Sequence, residues 1–423
     1  MKTLQVFNIY QQYGGEENVV RTLSRLMEGE DWRDEFFESR AWANESFLGK
    51  LTQPGRTFWN PAALRRMEAV QREYGADVWL FHNVLPIGSL GLFHRALKLG
   101  VPVIQYLHNY RPYSVAGTAW HEGHFLEGGF KQRFWPEVKA GTYRGSRLQT
   151  LFMSLVLRAY FKTGAVNAVT MWLSQTAFQK AKYVQAGIPA ERVEVLAPPR
   201  ELASAPASWN DDGYLLFLGR LVPEKGIRFL LERWERAAQD GKTKLPRLLI
   251  AGAGPLEEEV RLRVEGLKDV SYVGEVNATE RTRLLENCSG LVVPSEWWEV
   301  FGLVVVEAYE MEKPVLAARV GGLSEIVTAG KTGFQFEAGD GESFEQAVRD
   351  LMDCTQEQRR GLGRNGWRWV REEMNVERWK EGYGRLAQKT VALKKEEMAK
   401  RGEKDHRQVV VAGEQTISKV TSI

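Results

Sequence analysis

The sequence predicts an α/β fold made of two doubly wound domains, each a parallel sheet covered by helices, that face each other across a cleft. Buried strand patterns and helical patterns alternate along the first half of the chain. An aperiodic stretch rich in Pro, Ala, Ser and Asp follows at 198–213, and the same alternation then begins again. Repeated strand–helix units of this length favour a parallel sheet with both faces covered.

The first half contains several predicted strands. LQVFNIY, near the N-terminus, is a buried strand that leads into the glycine-rich turn YGGEE. Residues 77–83 and 101–109 are further strands, joined by a helix that ends near Gly100. AVTMWLS and VEVLAP are the last two, with a helix between them that Ser174 can cap. A helical stripe follows the turn at Val19, Val20, Leu23, Leu26 and Met27.

The second half repeats the pattern at regular intervals. Strands are predicted at 214–218, 247–251, 270–273, 290–293 and 314–318. Helices are predicted at 226–239, 255–266, 280–287 and 302–312. Parallel strands end at one edge of their sheet, so ligands are expected at the carboxyl ends of the strands.

Composition excludes several classes of protein. The chain has 423 residues, 43% hydrophobic and 26% charged, which is ordinary for a globular protein. Its two cysteines, Cys288 and Cys354, have no C-x-x-C spacing, so neither a disulfide framework nor a zinc site is indicated. We find neither a signal peptide nor a window of about 18 uninterrupted apolar residues. The expectation is a soluble, cytoplasmic protein.

The positive charge is concentrated in the first half. Residues 1–200 carry 24 Lys and Arg against 17 Asp and Glu, whereas the remainder carries 33 against 37. The segment 128–163 holds seven basic residues among aromatic ones and a single acid, Glu137. Such a segment can contact an anionic membrane surface, which would make the protein peripheral on the inner face of the cell membrane. An ordinary solvated helical face with core aromatics remains open as the alternative. No nucleic-acid partner is predicted.

Three common phosphate and metal motifs are absent. IAGAGPLEE at 250–258 has Glu257 where a dinucleotide fingerprint needs its third glycine, which argues against NAD. No glycine-rich loop ends in Gly-Lys-Ser/Thr, and there is no Asp-x-Asp pair to chelate a metal. No cofactor or metal is therefore predicted. Charge on a leaving phosphate would be met by cationic side chains and backbone amides.

Arg220 and Lys225 are candidates for that task. The stretch LGRLVPEKG follows a strand and opens a helix, which places both cations beside the carboxyl edge of the sheet. Arg offers a rigid fork of donors and Lys a point charge, a suitable pair for a diphosphate. Taken alone the pattern is weak, because a solvated pair of cations is the ordinary interpretation.

PSEWWEVFGLVVVEA, at 294–308, has an unusual distribution of charge. It ends one strand, turns, and starts a buried helix with Glu299 in the turn and Glu307 about one turn into the helix. The amides of Leu303 and Val304 lie at the helix N-terminus, where a phosphate is favoured. An acid on an otherwise apolar helix is poorly solvated unless a ligand or partner meets it. Helix capping or a solvated face is the alternative.

Five stretches, in this order and spacing, resemble the retaining glycosyltransferases of family 4, which have the GT-B fold. They are YGGEE, GRLVPEKG, GAGP, PSEWWEVFGLVVVEA and GGLSEIVTAGKTGF. The resemblance covers roughly 1–390 and is strongest over 214–340. The ordered set is far more specific than any one member, and the two acids match the E-x7-E motif of that family.

The resemblance implies a role for each matching residue. Glu299 would bind hydroxyls of the donor sugar, Glu307 the ribose hydroxyls, and Arg220 with Lys225 the diphosphate. Gly14 and Gly15 would let a loop approach the donor phosphate with no side chain in the way. The remaining donor-binding positions are Val273, Phe301, Gly302, Leu303 and Val304.

LHNYRPYS, at 107–114, resembles the His-Asn/Asp-Tyr-Arg segment of the same family. It implies that His108, with Glu299, is catalytic and lies near the reacting sugar. Asn109 and Arg111 would lie on the acceptor side, as would His82 and Asn83, which are similar to another pair at the cleft edge.

One departure from the family concerns the acceptor. Many relatives continue this segment into a Cys-Pro…Cys..Cys stretch, and none of those cysteines is present here. Residues 112–150 are therefore the least transferable part of the resemblance. His121 and His124 lie there and receive no role.

The resemblance predicts a metal-independent hexosyltransferase that acts with retention in surface polysaccharide synthesis. Its donor would be a UDP- or GDP-linked sugar, and its acceptor a saccharide or lipid-linked saccharide. Residues 1–197 would form the acceptor-side domain and 213–375 the donor domain. Residues 376–393 would cross back onto the first domain, and 394–423 would be a disordered tail. A sugar-nucleotide epimerase of related fold and a non-catalytic sugar-nucleotide-binding protein are the alternatives.

Overall fold

The computed structural model describes residues 1–10, 14–201 and 209–420, with side chains as far as residue 400. Within these residues the chain forms two six-stranded parallel sheets and one short antiparallel hairpin. The predicted α/β class with two doubly wound sheets is confirmed.

The first sheet is built from the N-terminal half. Its strands are β1 (Thr3–Ile9), β2 (Trp32–Glu38), β3 (Val78–Phe81), β4 (Val103–Tyr106), β7 (Val169–Ser174) and β8 (Val193–Val195), and the hairpin consists of β5 (Trp120–His121) and β6 (His124–Phe125). The strand order in the sheet is β2-β1-β3-β4-β7-β8. The helices of this half are α1 (Gly15–Leu26), α2 (Ser39–Ala43), α3 (Phe47–Phe58), α4 (Pro61–Tyr74), α5 (Gly91–Leu99), α6 (Trp135–Ala140), α7 (Arg147–Lys162) and α8 (Ala177–Gln185).

The second sheet follows the aperiodic stretch. Its strands are β9 (Tyr214–Leu218), β10 (Arg247–Ala251), β11 (Val270–Gly274), β12 (Gly290–Val293), β13 (Val315–Ala318) and β14 (Gly333–Phe336). Their order is β11-β10-β9-β12-β13-β14, and every pair is parallel. The helices are α9 (Ile227–Asp240), α10 (Glu257–Val264), α11 (Ala278–Asn287), α12 (Leu303–Glu310), α13 (Leu323–Ile326), α14 (Gly341–Asp353), α15 (Gln356–Glu373) and α16 (Val376–Val420).

Local sequence explains where these elements begin and end. α4 begins after Asn60, whose side chain accepts from the amide of Ala63, and Pro61 occupies the first turn. It ends at Gly75, which takes the left-handed conformation with φ +65°. The central strands β12 and β13 are apolar and buried along their whole length, as strands covered on both faces must be.

Contacts divide the chain into two compact units. One comprises 1–106, 158–173 and 380–423, and the other 107–157 and 174–379. The division differs from the predicted limits of 1–197 and 213–375, because the segment 107–157 groups with the second sheet. Aromatic side chains of that segment pack on Trp298, as described below, which accounts for the difference.

The C-terminal helix returns to the first unit, as predicted. The hydroxyl of Tyr383 lies 3.1 Å from the hydroxyl of Thr3, and its ring packs edge-on against Trp32 at 5.5 Å. Lys380 forms an ion pair with Glu30 at 3.3 Å. Residues 376–393 of α16 therefore include side chains that hold the helix to the strands of this unit.

The structure differs from the expected disordered tail at 394–423. α16 continues to Val420, so residues 394–420 are helical, and 421–423 lie outside the described residues. Lys394 is buried, and a Cβ atom at Gly100 would meet Met398 at 3.2 Å. The stretch KKEEMAK consists of strong helix formers, so local propensity favours continuation. Among the described residues, no helix is both long and apolar enough to cross a bilayer.

Candidate active site

The predicted donor-binding residues lie mainly on loops at the carboxyl edge of the second sheet. Because all its strands are parallel, the loops after β9, β10, β12 and β13 leave on the same side. The strand order reverses between β9 and β12. Open α/β sheets bind ligands at such a switch point, just outside the strand ends.

Glycines let these loops approach each other closely. A Cβ atom at Gly226 would lie 1.8 Å from the carbonyl oxygen of Pro294, and Gly226 has φ +74°. The amide of Glu296 donates to the carbonyl of Glu224 at 3.0 Å. The loop after β9 is therefore fixed against the loop after β12, and only glycine fits at position 226.

Lys225 and Glu299 form an ion pair between those two loops. The Lys225 ammonium donates to Glu299 Oε1. The hydroxyl of Ser295 donates to the same carboxylate oxygen at 2.8 Å. Glu299 is 5% exposed, whereas the Lys225 side chain keeps 30% of its surface. The structure thus brings together one residue predicted to bind the diphosphate and one predicted to bind the sugar, and it adds Ser295.

Two glycines after β13 support the backbone of Glu299. The amide of Gly322 donates to the carbonyl of Glu299 at 2.6 Å. A Cβ atom at Gly321, which has φ +60°, would lie 2.4 Å from that same oxygen. Any side chain at position 321 would displace the turn that carries Glu299. The sequence GGLSEIV contains both glycines, but pattern alone gives them no role.

Arg220 is the second predicted diphosphate ligand. It follows β9, its side chain is exposed, and it forms no ion pair or side-chain hydrogen bond with any described residue. A guanidinium without a protein carboxylate is available to an anion. Arg220 and Lys225 therefore differ: the first has no anionic partner in the described chain, and the second already has one.

The N-terminus of α12 starts at Gly302. Gly302 has φ +91°, and a Cβ there would meet Leu323 at 2.7 Å. The first amides of a helix, here those of Leu303 and Val304, have no acceptor within the helix and favour an anion. Phe301 is 4% exposed and its ring lies 6.3 Å from that of Trp369. Phe301 can therefore meet a ligand only through its backbone.

Glu307 lies in the second turn of α12. Its carboxylate is 3.4 Å from the guanidinium of Arg281, and its side chain is 17% exposed. Burial raises the pKa of Glu307 above its usual range, and the charges of Arg281 and Arg200 oppose that rise. A carboxylate held this way gains from hydroxyl donors that replace lost water.

The backbone of the segment that carries His108 is held by side chains of α8 and of Gln175, just before that helix. The amide nitrogens of the Gln175 and Gln179 side chains donate to the carbonyl of Leu107 at 2.9 and 3.3 Å. The hydroxyl of Tyr183 donates to the carbonyl of Asn109 at 3.0 Å. Burial lowers the pKa of His108 to about 3, so its imidazole is neutral near pH 7.

Trp298 joins this segment to the loop of Glu299. Tyr110 packs on it edge-on at 5.6 Å, and Phe125 stacks on it at 4.5 Å. The ammonium of Lys182 lies 3.5 Å from the Trp298 ring centroid, a cation–π contact. The hydroxyl of Thr176 donates to the carbonyl of Val300 at 3.1 Å. The cluster of Trp298, Tyr110, Phe125 and Lys182 was not predicted from the sequence.

Asn109 and Arg111 have local partners. The side-chain oxygen of Asn109 accepts from the amide of Arg111 at 2.9 Å, which closes a turn. The guanidinium of Arg111 lies over the ring of Tyr143 at 5.7 Å. These contacts explain why both residues are fixed, and their predicted place on the acceptor side stays a prediction.

Glu137 organises the region that follows. Its Oε2 accepts from the amide of Val115 at 2.8 Å and from the hydroxyls of Ser114 and Thr142 at 3.1 and 3.3 Å. Burial raises the pKa of Glu137, and these hydrogen bonds oppose the rise. One buried carboxylate thus ties Ser114 and Val115 to Thr142 in a segment that has no cysteines.

The other predicted residues of the first unit are distributed differently. His82 is 0% exposed, stacks on Tyr106 at 5.2 Å and lies 3.0 Å from the side-chain oxygen of Gln5. This burial argues against a role for its ring in binding an acceptor. The Asn83 side chain donates to Glu16 at 2.8 Å, in the first turn of α1.

The glycine-rich turn is only partly described. Residues 11–13 lie outside the described residues, and Gly14 has an extended backbone with φ −154°. A Cβ at Gly14 would meet nothing within 4 Å. Neither the backbone nor the neighbours require glycine there, so the predicted close approach of a ligand at Gly14 and Gly15 stays a prediction.

Val273 is separated from the loops around Glu299. It is 43% exposed on the edge strand β11, three strands from β12 and therefore about 14 Å away. Over the residues with described side chains, no cluster of three or more His, Cys, Asp or Glu side chains could hold a metal ion.

These residues can bind an anion beside a hydroxylated group. Arg220, Lys225 and the start of α12 offer positive charge for phosphates, and Glu299 and Glu307 offer acceptors for hydroxyls. Both kinds of group lie in the loops and the helix that follow β9 and β12. A nucleoside diphosphate sugar carries both phosphates and hydroxyls.

Several known proteins are similar to parts of this chain. Residues 212–354 match the family described as Glycosyl transferases group 1. The chain is 33% identical over 159 residues to an uncharacterized glycosyltransferase of Methanocaldococcus jannaschii, which is 37% of this chain and 43% of that protein. It is 28% identical over 187 residues to the O-antigen chain mannosyltransferase C of Escherichia coli, 43% of this chain and 48% of that one. The chain thus spans less than half the length of these relatives.

Solved structures resemble a larger part of the chain. Sucrose-phosphate synthase from Thermosynechococcus elongatus has a TM-score of 0.64 and 16% identity, covering 93% of this chain and 100% of that one. HepE of Anabaena in complex with UDP has a TM-score of 0.63 and 16% identity, covering 92% and 100%. At this identity the likeness shows the fold alone. The chain has the GT-B fold.

Proposed function

We propose that this chain is a glycosyltransferase that moves a hexosyl group from a nucleoside diphosphate sugar to a hydroxyl acceptor. The observation that carries the proposal is the Lys225–Glu299 ion pair at the β9–β12 switch point. Arg220, in the same loop as Lys225, has no carboxylate partner among the described residues. A cation and a carboxylate that face the same strand ends suit a ligand in which phosphate adjoins a sugar.

The donor would be held along the carboxyl edge of the second sheet. Arg220, Lys225 and the amides at the start of α12 would bind the diphosphate. Glu307 would accept hydrogen bonds from the ribose hydroxyls and Glu299 from those of the sugar. When the phosphate arrives it would compete with Glu299 for the Lys225 ammonium, leaving the carboxylate free to accept from the sugar.

Transfer would proceed with retention by attack on the face from which the diphosphate departs. The acceptor hydroxyl would form the new bond to the anomeric carbon as the bond to the phosphate oxygen breaks, and that oxygen would take the acceptor proton. Glu299 is a carboxylate that could be considered as a nucleophile, but a double displacement needs a carboxylate beneath the anomeric carbon. The ion pair with Lys225 instead favours hydroxyl binding.

His108 would act as a neutral hydrogen-bonding group beside the reacting sugar. With its pKa lowered by burial to about 3, it carries no charge at pH 7 before the donor binds. An imidazole dipole can still stabilise charge that develops near the anomeric carbon, and a preorganised dipole needs no reorganisation at the moment of reaction.

The acceptor we propose is a saccharide or lipid-linked saccharide of a surface polysaccharide. Similarity to an O-antigen chain mannosyltransferase supports this class. UDP- or GDP-linked sugars are the proposed donors, and neither a metal ion nor a cofactor is required. An epimerase would need acid and base groups around the sugar, and a binding protein would tolerate loss of both Glu299 and His108.

The first experiment is a thermal-shift screen against UDP-, GDP- and ADP-sugars. The donor it selects is then incubated with candidate acceptors, and free nucleoside diphosphate and the anomeric configuration of the product are measured. Nucleoside diphosphate released only with acceptor supports transfer; interconversion of sugars without acceptor supports an epimerase. EDTA should leave the rate unchanged. Loss of activity in EDTA that magnesium or manganese restores would contradict the metal-independent mechanism.

A further inference from the structure

α7 (Arg147–Lys162) exposes a stripe of leucines on its outer side. Leu148 is 76% exposed, Leu151 39% and Leu155 49%. Positions i, i+3 and i+7 lie on the same face of a helix, so the three side chains form one continuous apolar strip. Scattered exposed leucines are ordinary, but three in register on one helix face are a surface feature.

This strip is not the face by which α7 packs. Met153, Val156, Leu157 and Tyr160 are each 5% exposed or less and form the inner face of the helix. A different set of side chains therefore packs α7 against the core. Leu148, Leu151 and Leu155 take no part in that packing.

Basic residues flank the strip. Arg147, Arg158 and Lys162 are exposed and lie within about a third of the helix circumference on the same side. None of the three forms an ion pair with any residue described in the structure. No acidic residue occurs in the whole of α7.

A second exposed leucine provides a useful contrast. Leu262 on α10 is 60% exposed and also lies between two arginines. There, however, Arg261 is paired with Glu257 at 2.7 Å and Arg263 with Glu235 at 2.7 Å. The charges beside Leu262 are paired within the chain, whereas those beside the α7 leucines have no ion-pair partner among the described side chains.

The aromatic residues that the sequence offered for membrane contact have another place. Phe134 is 3% exposed and Tyr160 is 4% exposed, so both belong to the core. Trp135 remains exposed at 60%. The structure therefore removes Phe134 and Tyr160 from that expectation and adds a leucine strip that composition did not single out.

We propose that the outer face of α7 docks the protein on the surface of an anionic phospholipid bilayer. A strip of leucines can enter the boundary between head groups and acyl chains, while the arginines and lysine beside it meet lipid phosphates. The basic residues alone could bind a free anion or a nucleic acid, but neither ligand would contact three exposed leucines. The proposal concerns a binding surface and does not depend on the chain being a transferase.

The test is flotation of the full chain with vesicles of phosphatidylcholine alone and with 30% phosphatidylglycerol. The variant combines Leu148→Gln, Leu151→Gln and Leu155→Gln, because glutamine keeps helix propensity. A second variant combines Arg147→Gln, Arg158→Gln and Lys162→Gln. We expect binding to the anionic vesicles that falls at least tenfold in the leucine variant. Each basic residue is worth about fivefold, so the charge variant should lose about a hundredfold.

Leu262→Gln is the matched control and should bind as the unmodified chain does. Circular dichroism and thermal midpoints establish that each variant is folded. Equal binding to neutral and anionic vesicles, or unchanged binding by the leucine variant, would overturn the proposal. So would a dimer in lipid-free solution that the leucine variant dissociates, since the strip would then be an interface between two copies.

Discussion

The ammonium of Lys225 and the carboxylate of Glu299 pair with each other at the strand ends of the second sheet. Each is also a proposed ligand for a different part of the donor. A carboxylate as buried as Glu299 needs a partner, and Lys225 with Ser295 supplies it. The pair holds both groups in position, and in the proposed function the donor phosphate would replace Glu299 as the partner of Lys225.

Replacing Lys225 with Met should lower both stability and activity. Glu299 would lose its cation and stay buried, so the free energy of unfolding should fall by about 1–3 kcal/mol. Adding Glu299→Gln should restore part of that loss, because no unpaired charge remains. Transfer should lose about 2–4 kcal/mol of transition-state stabilisation. Urea unfolding and turnover at saturating donor measure the two effects.

The matched control for Lys225→Met is Lys244→Met, at an exposed lysine of the same unit. It should change neither quantity. Wild-type stability and turnover in Lys225→Met would mean that the ion pair neither holds Glu299 nor meets the phosphate.

His108 makes stability depend on pH. Its pKa is lowered to about 3 in the folded chain from an ordinary 6.5. Between these two pH values the imidazole is therefore protonated in the unfolded chain and neutral in the folded chain. This contribution to stability is complete above pH 6.5 and is lost as pH falls from 6.5 towards 3. His108→Asn should remove it. Relative to the variant, the wild type should lose about 1.4 kcal/mol per pH unit below 6.5.

Urea unfolding at pH 7.5, 6.0, 5.0 and 4.5 measures this difference, with the exposed His124→Asn as control. Parallel pH curves for the wild type and His108→Asn would show that the imidazole is solvated. It would then be available as a charged group at the site.

Trp298 should position the segment of His108 and the loop of Glu299, which we propose to be catalytic, without touching the donor phosphates. Trp298→Ala opens the cluster with Tyr110, Phe125 and Lys182, so turnover should fall about tenfold to a hundredfold while nucleoside diphosphate affinity changes little. The free energy of unfolding should fall by about 3–5 kcal/mol. Trp298→Phe should recover most of the turnover, because an aromatic ring can still stack.

Turnover and calorimetric affinity are compared in both variants and in Trp135→Ala, which removes an exposed tryptophan. A loss of stability alone, with turnover per folded molecule unchanged, would make Trp298 purely structural.

Sequence pattern was most informative where strands are buried on both faces. The β12 and β13 segments are short apolar runs bounded by turns, and the predicted ranges differ from the observed ones by at most a residue. β2 was not predicted, because WRDEFFE is charged and lies at the sheet edge, where one side faces no neighbouring strand. The sequence pattern also did not predict that 107–157 packs with the second sheet, because that packing depends on ring contacts to Trp298.

In the candidate site, too, single residues could be predicted from the sequence but their contacts could not. Lys225 and Glu299 were each predictable from their stretches, but their pairing joins residues 74 positions apart and required the folded chain. His82 was predicted at the cleft edge because the pair His82 and Asn83 is similar to a family pair there, yet its ring packs against Phe7 and Tyr106. A position at a strand end places a residue near the edge of the sheet, but only packing decides which way its side chain points.

The most direct test of the donor site is calorimetry with the nucleoside diphosphate on Glu299→Gln and Glu307→Gln, beside their transfer rates. Ribose is present with or without the sugar, so Glu307→Gln should weaken the nucleoside diphosphate several-fold. Glu299→Gln should keep that affinity, or raise it by releasing Lys225, and should lose transfer. A charge-assisted hydrogen bond is stronger than a neutral one by about 1 kcal/mol. This difference sets the size of the expected loss of affinity or of transfer rate. Equal losses of nucleoside diphosphate affinity in the two variants would contradict the assignment of Glu299 to the sugar.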